Sequence, residues 1–366
     1  MSKIGLIFTA ATGGGHNQAA QSLKQQLSDH MLEFYVVEPF KENSKFLETM
    51  IEDGYTFLAN YTPKLYGEIY RISGHKTTNR QLKRIFKLML KNKILSYINQ
   101  YHPSIIISTH PLFVHIIAEL KREGLTKAVC LSVVTDLGVH RFYAHDAIDA
   151  YITGSKITNH QLQALGISQD KIFDYGIPVK PEFYALGQTS RTDFSPFTIL
   201  LMGGSMGSRK LYKTLAFLMK VKQDILIQVV CGNNKTIKNN IESHFQNLPD
   251  NISLEVYGFI SNVHELMDQA DILISKPGGL TLTEAINKSL PMIIPFYIHG
   301  QEAENTEILA QEGLGIYVKH LDQLPEIIES FVNEPERLRD IKNKMKAMSS
   351  NYSVEKISDL CHELMA

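Results

Sequence analysis

The chain has 366 residues, 44% hydrophobic and 20% charged, with a formal net charge of −1. That composition belongs to a folded protein of about two domains and excludes a disordered or fibrous chain. A balance so near zero gives no general attraction to nucleic acid, so an anionic partner has to be met by a local patch.

The N-terminal "MSKIGLIFTAA" is a short apolar run followed by "TGGGH", where a secretory leader would need a cleavage site. No window reaches the ~18 uninterrupted apolar residues of a spanning helix. The longest uncharged stretch, 94–118, contains Asn99, His102, Pro103 and His110. A cytoplasmic protein that touches membranes only from the surface is therefore expected. Cys130, Cys231 and Cys361 lie far apart without a metal-binding pattern, which fits buried free thiols in a reducing compartment.

The first predicted element is the strand "KIGLIF", followed by "TGGGH" and a helix expected over 17–27. Glycines permit a tight turn and close approach of a ligand, and N–H groups at a helix start favour anionic or oxygen-rich groups. Gly14 and Gly15 are candidates for that contact. His16 sits at the positive end of the helix dipole, which keeps its imidazole neutral and able to accept a proton. A histidine there can also simply cap the helix.

After the strand "FYVVEP", residues 47–70 supply aromatics that suit either acyl chains or a core. The next segment, 71–93, carries eight Lys/Arg and no Asp/Glu. A helix from about residue 78 puts Arg80, Arg84, Lys87 and Lys91 on one side, with Lys83 nearby. Leu82, Ile85, Phe86 and Met89 fall opposite. A basic amphipathic helix of this kind can lie on anionic lipid, while a packed helix with a solvated face has the same pattern. The local excess of charge favours the membrane surface.

The strands "SIIIST", "AVCLSVV" and "AYITGS" complete a first series. Residues 182–197 then read as a polar linker with Gly187 and Pro196. A second series follows: "FTILLMGG", "ILIQVVCG", "LEVYGF", "ILISKP" and "PMIIPF". Apolar runs bounded by turn residues suit parallel strands covered on both faces. The predicted architecture is α/β: two doubly wound, Rossmann-like domains, 1–185 and 195–340, facing across a cleft.

Such sheets bind ligands beyond the carboxyl ends of their strands. The turn "LLMGGSMGSRK" offers Gly203, Gly204 and Ser205 to a diphosphate, though it has neither P-loop nor GxGxxG spacing. In "ISKPGGLTLTEA", Gly278 and Gly279 make a turn, and Glu284 is expected on the first helical turn. There it can accept from two vicinal ribose hydroxyls or merely complement the dipole. "GQEAEN" places Gln301, Glu302 and Asn305 at a helix start, apt for sugar hydroxyls.

"TGGGHNQAA", "HPLFVH", "VVTDLGVH", "YGIPVKPEF", "LMGGSMG", "YGFI", "SKPGGLTLTEA" and "GQEAEN" follow one another in an order that resembles glycosyltransferase family 28. The likeness is greatest to its diacylglycerol glycosyltransferases, the bacterial glucosyltransferases and plant monogalactosyldiacylglycerol synthases, and covers about residues 3–317. It implies a GT-B fold, a nucleotide-sugar donor in the second domain, a lipid acceptor in the first, and inversion at the anomeric carbon. It also implies that the tail, 341–366, forms a helix packing back toward the first domain.

By the same resemblance His16 would be the catalytic base. Phe259 and Ile260 would border uracil, with Gly279, Leu280 and Thr281 across from them. Glu284 would hold the ribose, Ser205 and nearby N–H groups the diphosphate, and Lys180 would be a cation near the phosphates. Gln301 and Glu302 would read the hexose. His110, Pro111, Asp136 and His140 would lie on the acceptor side. The acidic residue that some relatives carry before the glycines is missing here, which leaves Asp136 and Glu38 as candidates to orient His16.

There is no DxD motif, only the DxxD of Asp146 and Asp149, so no metal and no cofactor are expected. Helix N–H groups and Lys180 would then stabilise the leaving diphosphate. The expected partners are a UDP-hexose, with UDP-glucose favoured, diacylglycerol, and the anionic inner face of the cell membrane. Alternatives are transfer to another lipid-linked acceptor, such as a cell-wall precursor, or a silent UDP-sugar-binding protein. A UDP-sugar epimerase would share the architecture but has no need of a basic lipid-facing segment, and an intact His16 speaks against a silent relative.

Overall fold

The computed structural model describes residues 2–10, 15–41, 63–185, 196–203 and 208–366. Gly14, Gly204, Ser205 and most of the aromatic stretch before residue 63 lie outside them. The first domain runs β1 (Lys3–Phe8), α1 (Gly15–Leu27), β2 (Leu32–Val37), α2 (Pro63–Gly74), α3 (Lys76–Tyr101), β3 (Ile105–Ser108), α4 (Pro111–Arg122), β4 (Val129–Val133), β5 (Ala150–Ile152), α5 (Lys156–Ala164) and β6 (Ile172–Phe173). Its sheet is parallel, in the order β2-β1-β3-β4-β5-β6.

The second domain runs β7 (Phe197–Met202), α6 (Ser208–Leu218), β8 (Ile225–Val230), α7 (Lys235–His244), β9 (Ile252–Tyr257), α8 (Val263–Gln269), β10 (Ile272–Ile274), α9 (Gly279–Asn287), β11 (Met292–Ile294), α10 (Gln301–Gln311), β12 (Gly315–Tyr317) and α11 (Leu324–Asn333). Its parallel sheet has the order β12-β11-β10-β7-β8-β9. All ten predicted strands are present. The edge strands β6 and β12 were not predicted, because two or three residues carry too little pattern to read.

Burial explains the apolar runs. Leu6, Ile7 and Phe8 of β1 and Ile105, Ile106 and Ile107 of β3 are all 0% exposed, since helices cover both faces. Gly5 is paired with Phe34 on β2, and a Cβ at Gly5 would stand 2.3 Å from that ring. Helix α4 starts where the sequence stops it from being strand: Pro111 occupies its first turn, and His110 caps it by accepting from the Leu112 N–H at 3.3 Å.

The order of each sheet creates a switch point. It falls between β1 and β3 in the first domain, and between β7 and β10 in the second. The turns after these four strands hold most of the residues singled out from the sequence.

The tail departs from expectation. Helix α12 (Pro335–Ser349) belongs with the second domain, where Leu338, Ile341 and Met345 join its core. The chain crosses only at 350–353: Tyr352 hydrogen-bonds through its hydroxyl to the Gly154 carbonyl, and the Ser353 N–H donates to the Tyr175 carbonyl at 2.9 Å. Gly176, at φ +85°, leaves room for the Tyr352 ring. Helix α13 (Val354–Leu364) then buries Val354, Ile357, Leu360 and Cys361 beside Ala20, Leu23 and Leu27 of α1. The apolar face of α12 matches the second domain, so the segment that packs back begins later than residue 341. The three cysteines are buried free thiols.

Candidate active site

Three strand ends of the first domain meet at His16. It is the second residue of α1, which begins two residues earlier than predicted. Its Nδ1 lies 2.8 Å from the carbonyl oxygen of Thr109, just beyond β3, and 2.8 Å from the hydroxyl of Thr135, just beyond β4. A carbonyl oxygen can only accept, so Nδ1 carries the proton and Nε2 presents a lone pair. Nε2 has no hydrogen-bond partner among the described residues. The Thr135 hydroxyl is also 3.1 Å from the buried Tyr143 hydroxyl. Burial pulls the His16 pKa down to about 4, against the opposing effect of the Thr109 bond. The ring is neutral at physiological pH.

Neither carboxylate considered from the sequence orients this ring. Glu38 accepts from Asn17 Nδ2 at 2.9 Å and pairs with Lys41. Asp136 accepts from Asn305 Nδ2 at 3.0 Å, and burial raises its pKa to about 7. Thr109 and Thr135 take the orienting role instead. Both stood inside "STHP" and "VVTDLGVH", but a carbonyl that becomes a ligand only through folding leaves no mark in sequence.

His110 packs edge-on against His16 with ring centroids 4.6 Å apart. Burial and the neighbouring His16 hold His110 well below its ordinary pKa. Pro111 is buried beside it. His140 stacks on Phe142, and its Nε2 lies 3.0 Å from Ser73 Oγ, tying this loop to α2.

The second domain faces this site. Glu284 lies on the second turn of α9, not the first, so helix-dipole complementarity does not account for it. It is buried, and burial raises its pKa to about 8 while Lys180 opposes the rise. Gln18 of α1 reaches Glu284 Oε1 at 3.5 Å across the cleft. Lys180 itself is exposed. Gly279 permits close approach of the two domains: a Cβ there would stand 1.9 Å from the Thr135 carbonyl oxygen. Leu280 and Thr281 follow on the same helix, buried and half-buried. Gly203 directly follows β7, and Gly278 caps α9. Phe259, 69% exposed, stands in the turn after β9 beside the half-buried Ile260.

Two residues expected to read the sugar are engaged within the protein. Asn305, fully buried, donates to Asp136 and to the Pro277 carbonyl at 3.0 Å each and accepts from the Leu137 N–H at 2.9 Å. It clamps the domains together. Glu302 accepts from Lys276 Nζ at 2.6 Å and from the Ile298 N–H at 2.9 Å. Lys276, overlooked in "SKPGG", sets the position of that carboxylate. Gln301 is half-buried at the start of α10.

The basic helix is turned around relative to expectation. Lys87 pairs with Glu119 at 3.0 Å and Glu123 at 2.8 Å, Lys91 pairs with Glu123 at 2.5 Å, and Lys83 donates to the carbonyls of Arg141 and Ala144. Lys87 and Lys91 face α4 and its C-cap, where Glu119 and Glu123 supply part of the balancing charge that 71–93 lacks. Ile85, Leu88 and Met89 are instead 52%, 83% and 39% exposed, alongside exposed Arg80 and Arg84. Among the described residues no helix is long and apolar enough to cross a membrane.

Comparison with known proteins agrees with the fold and the motifs. The family description "Monogalactosyldiacylglycerol (MGDG) synthase" matches residues 16–179, and "Glycosyltransferase family 28 C-terminal domain" matches 198–364. A "Processive diacylglycerol beta-glucosyltransferase" of Bacillus pumilus is 28% identical over 361 residues, covering 96% of this chain and 92% of the relative. The protein of the same name from Bacillus subtilis is 26% identical over 359 residues, covering 96% and 93%. MurG of Acinetobacter baumannii superposes with a TM-score of 0.67 at 15% identity, covering 98% of this chain and 99% of MurG. The calicheamicin glycosyltransferase CalG4 gives a TM-score of 0.65 at 10% identity, with 100% and 98% covered. The two parallel sheets across a cleft are thus the GT-B fold. With both halves matched and relatives of one name spanning nearly its whole length, the chain is a glycosyltransferase that is similar to glycosyltransferase family 28 and to its diacylglycerol glycosyltransferases.

Proposed function

We propose that the protein transfers a glucosyl group from UDP-glucose to diacylglycerol at the cytoplasmic face of a membrane, with inversion and without a metal. The observation that carries this reading is the Nε2 of His16, free of partners among the described residues, with the ring proton held on Nδ1 by the Thr109 carbonyl. Nε2 removes the proton of the acceptor hydroxyl as that oxygen attacks the anomeric carbon. The bond from that carbon to the diphosphate breaks, and UDP departs on the opposite face. A single displacement inverts the configuration. Glu284, across the cleft, would hold the ribose, and Phe259 and Ile260 would border the base. Lys180 supports stabilisation of the leaving charge.

The naming of the Bacillus relatives supports diacylglycerol as acceptor. Docking at the surface is supported by the exposed face of α3, where Ile85, Leu88 and Met89 stand beside Arg80 and Arg84. The test is incubation of the purified protein with radiolabelled UDP-glucose or UDP-galactose and diacylglycerol vesicles, followed by chromatography of the lipid phase. Label in a glycolipid from UDP-glucose is expected. Label only from UDP-galactose, or none in lipid, would overturn the proposed donor or the proposed activity.

A further inference from the structure

Between α3, α4 and the loop at 141–144 lies a cavity of about 710 Å³ that opens to solvent along the edge of the exposed face of α3. Arg80, Lys83, Arg84 and Arg141 line it, and none of the four forms an ion pair among the described residues. Lys87 and Arg122 also reach it, but these are neutralised by Glu119, Glu123 and Asp146. The lining therefore carries four uncompensated cations. Lys83 is the deepest of them. Among the described residues its ammonium is met by two carbonyls and the face of the Phe142 ring, and burial with the neighbouring Arg141 brings its pKa down to about 8. On the cavity wall the Nδ1 of His115 is buried without a hydrogen-bond partner among the described residues.

Gathering like charges around a recess is unfavourable unless an anion occupies it, and guanidinium groups suit phosphoryl oxygens in paired hydrogen bonds. His115, Glu119 and His145 bring their ligand atoms within 4.8 Å of one another, an arrangement that could also suit a metal ion. The surrounding cations oppose that choice, and the Glu119 oxygens are already taken by Lys87, Arg122 and His145. We propose that this cavity binds a phosphate-bearing anion, held by Arg80, Lys83, Arg84 and Arg141. Leu88, 83% exposed, also lines the cavity, which puts apolar surface beside the cationic mouth. An anionic phospholipid could therefore seat its phosphoryl group inside with its chains against Leu88, and a free phosphate would satisfy the same cations. This goes beyond surface docking, because it assigns a stoichiometric site that exists without a bilayer.

The test is calorimetric titration of the full chain with dihexanoyl phosphatidate below its micelle concentration, and separately with inorganic phosphate. Saturable one-to-one binding of at least one probe is expected. It should weaken at least tenfold in Lys83→Gln and in the exposed-residue double variant Arg80→Gln/Arg84→Gln, and stay unchanged in Lys91→Gln, whose lysine lies outside the lining. Binding of the lipid alone assigns the site to a head group, and equal binding of both assigns it to the phosphoryl group itself. No saturable binding of either probe, or equal weakening by Lys91→Gln, overturns the site. Vesicle docking can fail while this titration succeeds, and the reverse, so the two proposals are separable.

Discussion

His16 Nδ1 lies 2.8 Å from the main-chain carbonyl oxygen of Thr109, and that contact fixes which ring nitrogen can act as a base. A backbone acceptor holds the ring without adding a negative charge. The imidazole stays neutral because burial outweighs the pull of the Thr109 carbonyl, where a carboxylate partner would draw the ring further toward its cation.

The pH dependence follows with a definite sign. A base whose pKa is lowered to about 4 loses function only as pH falls through that value, because only then is Nε2 protonated. With respect to His16, kcat/KM should stay level from about pH 8 to about pH 5. A break near the ordinary histidine value would mean a solvated ring. His16→Ala should lower turnover by about 10²–10⁴-fold while UDP affinity, measured by calorimetry, stays intact.

Thr135 touches His16 through its hydroxyl and Tyr143 beyond it. Thr135→Val should cut kcat by about five- to tenfold, the equivalent of one net hydrogen bond, with KM little changed. Thr135→Ser keeps the hydroxyl and should restore most of the rate. Equal losses in both variants would assign the effect to packing.

Glu284 is the cleft carboxylate that helix electrostatics does not explain. Because burial keeps this carboxyl largely protonated near pH 7, Glu284→Ala should weaken UDP binding by about 0.5–1.5 kcal/mol, as for a hydrogen bond between neutral groups. Unchanged affinity in calorimetry would leave it a buried structural acid.

Activity should survive EDTA. The carboxylates nearest a DxxD pattern are committed elsewhere, Asp149 to Lys121 and the Cys130 N–H, and Asp146 to Arg122. Loss of turnover in EDTA, recovered with magnesium or manganese, would contradict a metal-free mechanism.

Vesicle co-sedimentation separates the two faces of α3. Ile85→Ser/Leu88→Ser should release the protein from anionic vesicles. Arg80→Gln/Arg84→Gln should cost up to about 2 kcal/mol at low salt, an effect that high salt reproduces. Lys87→Gln/Lys91→Gln should leave docking unchanged and lower thermal stability, since these lysines bind Glu119 and Glu123. Loss of docking in the last pair alone would restore the basic face as the membrane face.

The sequence by itself determined the strands, the doubly wound order and the glycine-rich turns. Apolar runs such as "SIIIST" and breaks such as "PGG" are local properties of the chain, and each acts on its neighbours within a few residues. His16 stood out because it follows one of those turns directly, and Glu284 because it lies on the helix that another of them opens. Only the tertiary structure decided what each side chain faces. The helical period of 71–93 separated cations from apolar residues correctly in part, but it could not say which face meets α4, because Glu119 and Glu123 lie some thirty residues on. Asn305 looked like a sugar ligand until Asp136 and Leu137, from the other domain, occupied its amide. The partner of His16 is a carbonyl, a group every residue carries. Its selection depends wholly on β3 ending beside β1, a pairing that long-range packing sets and no local pattern records.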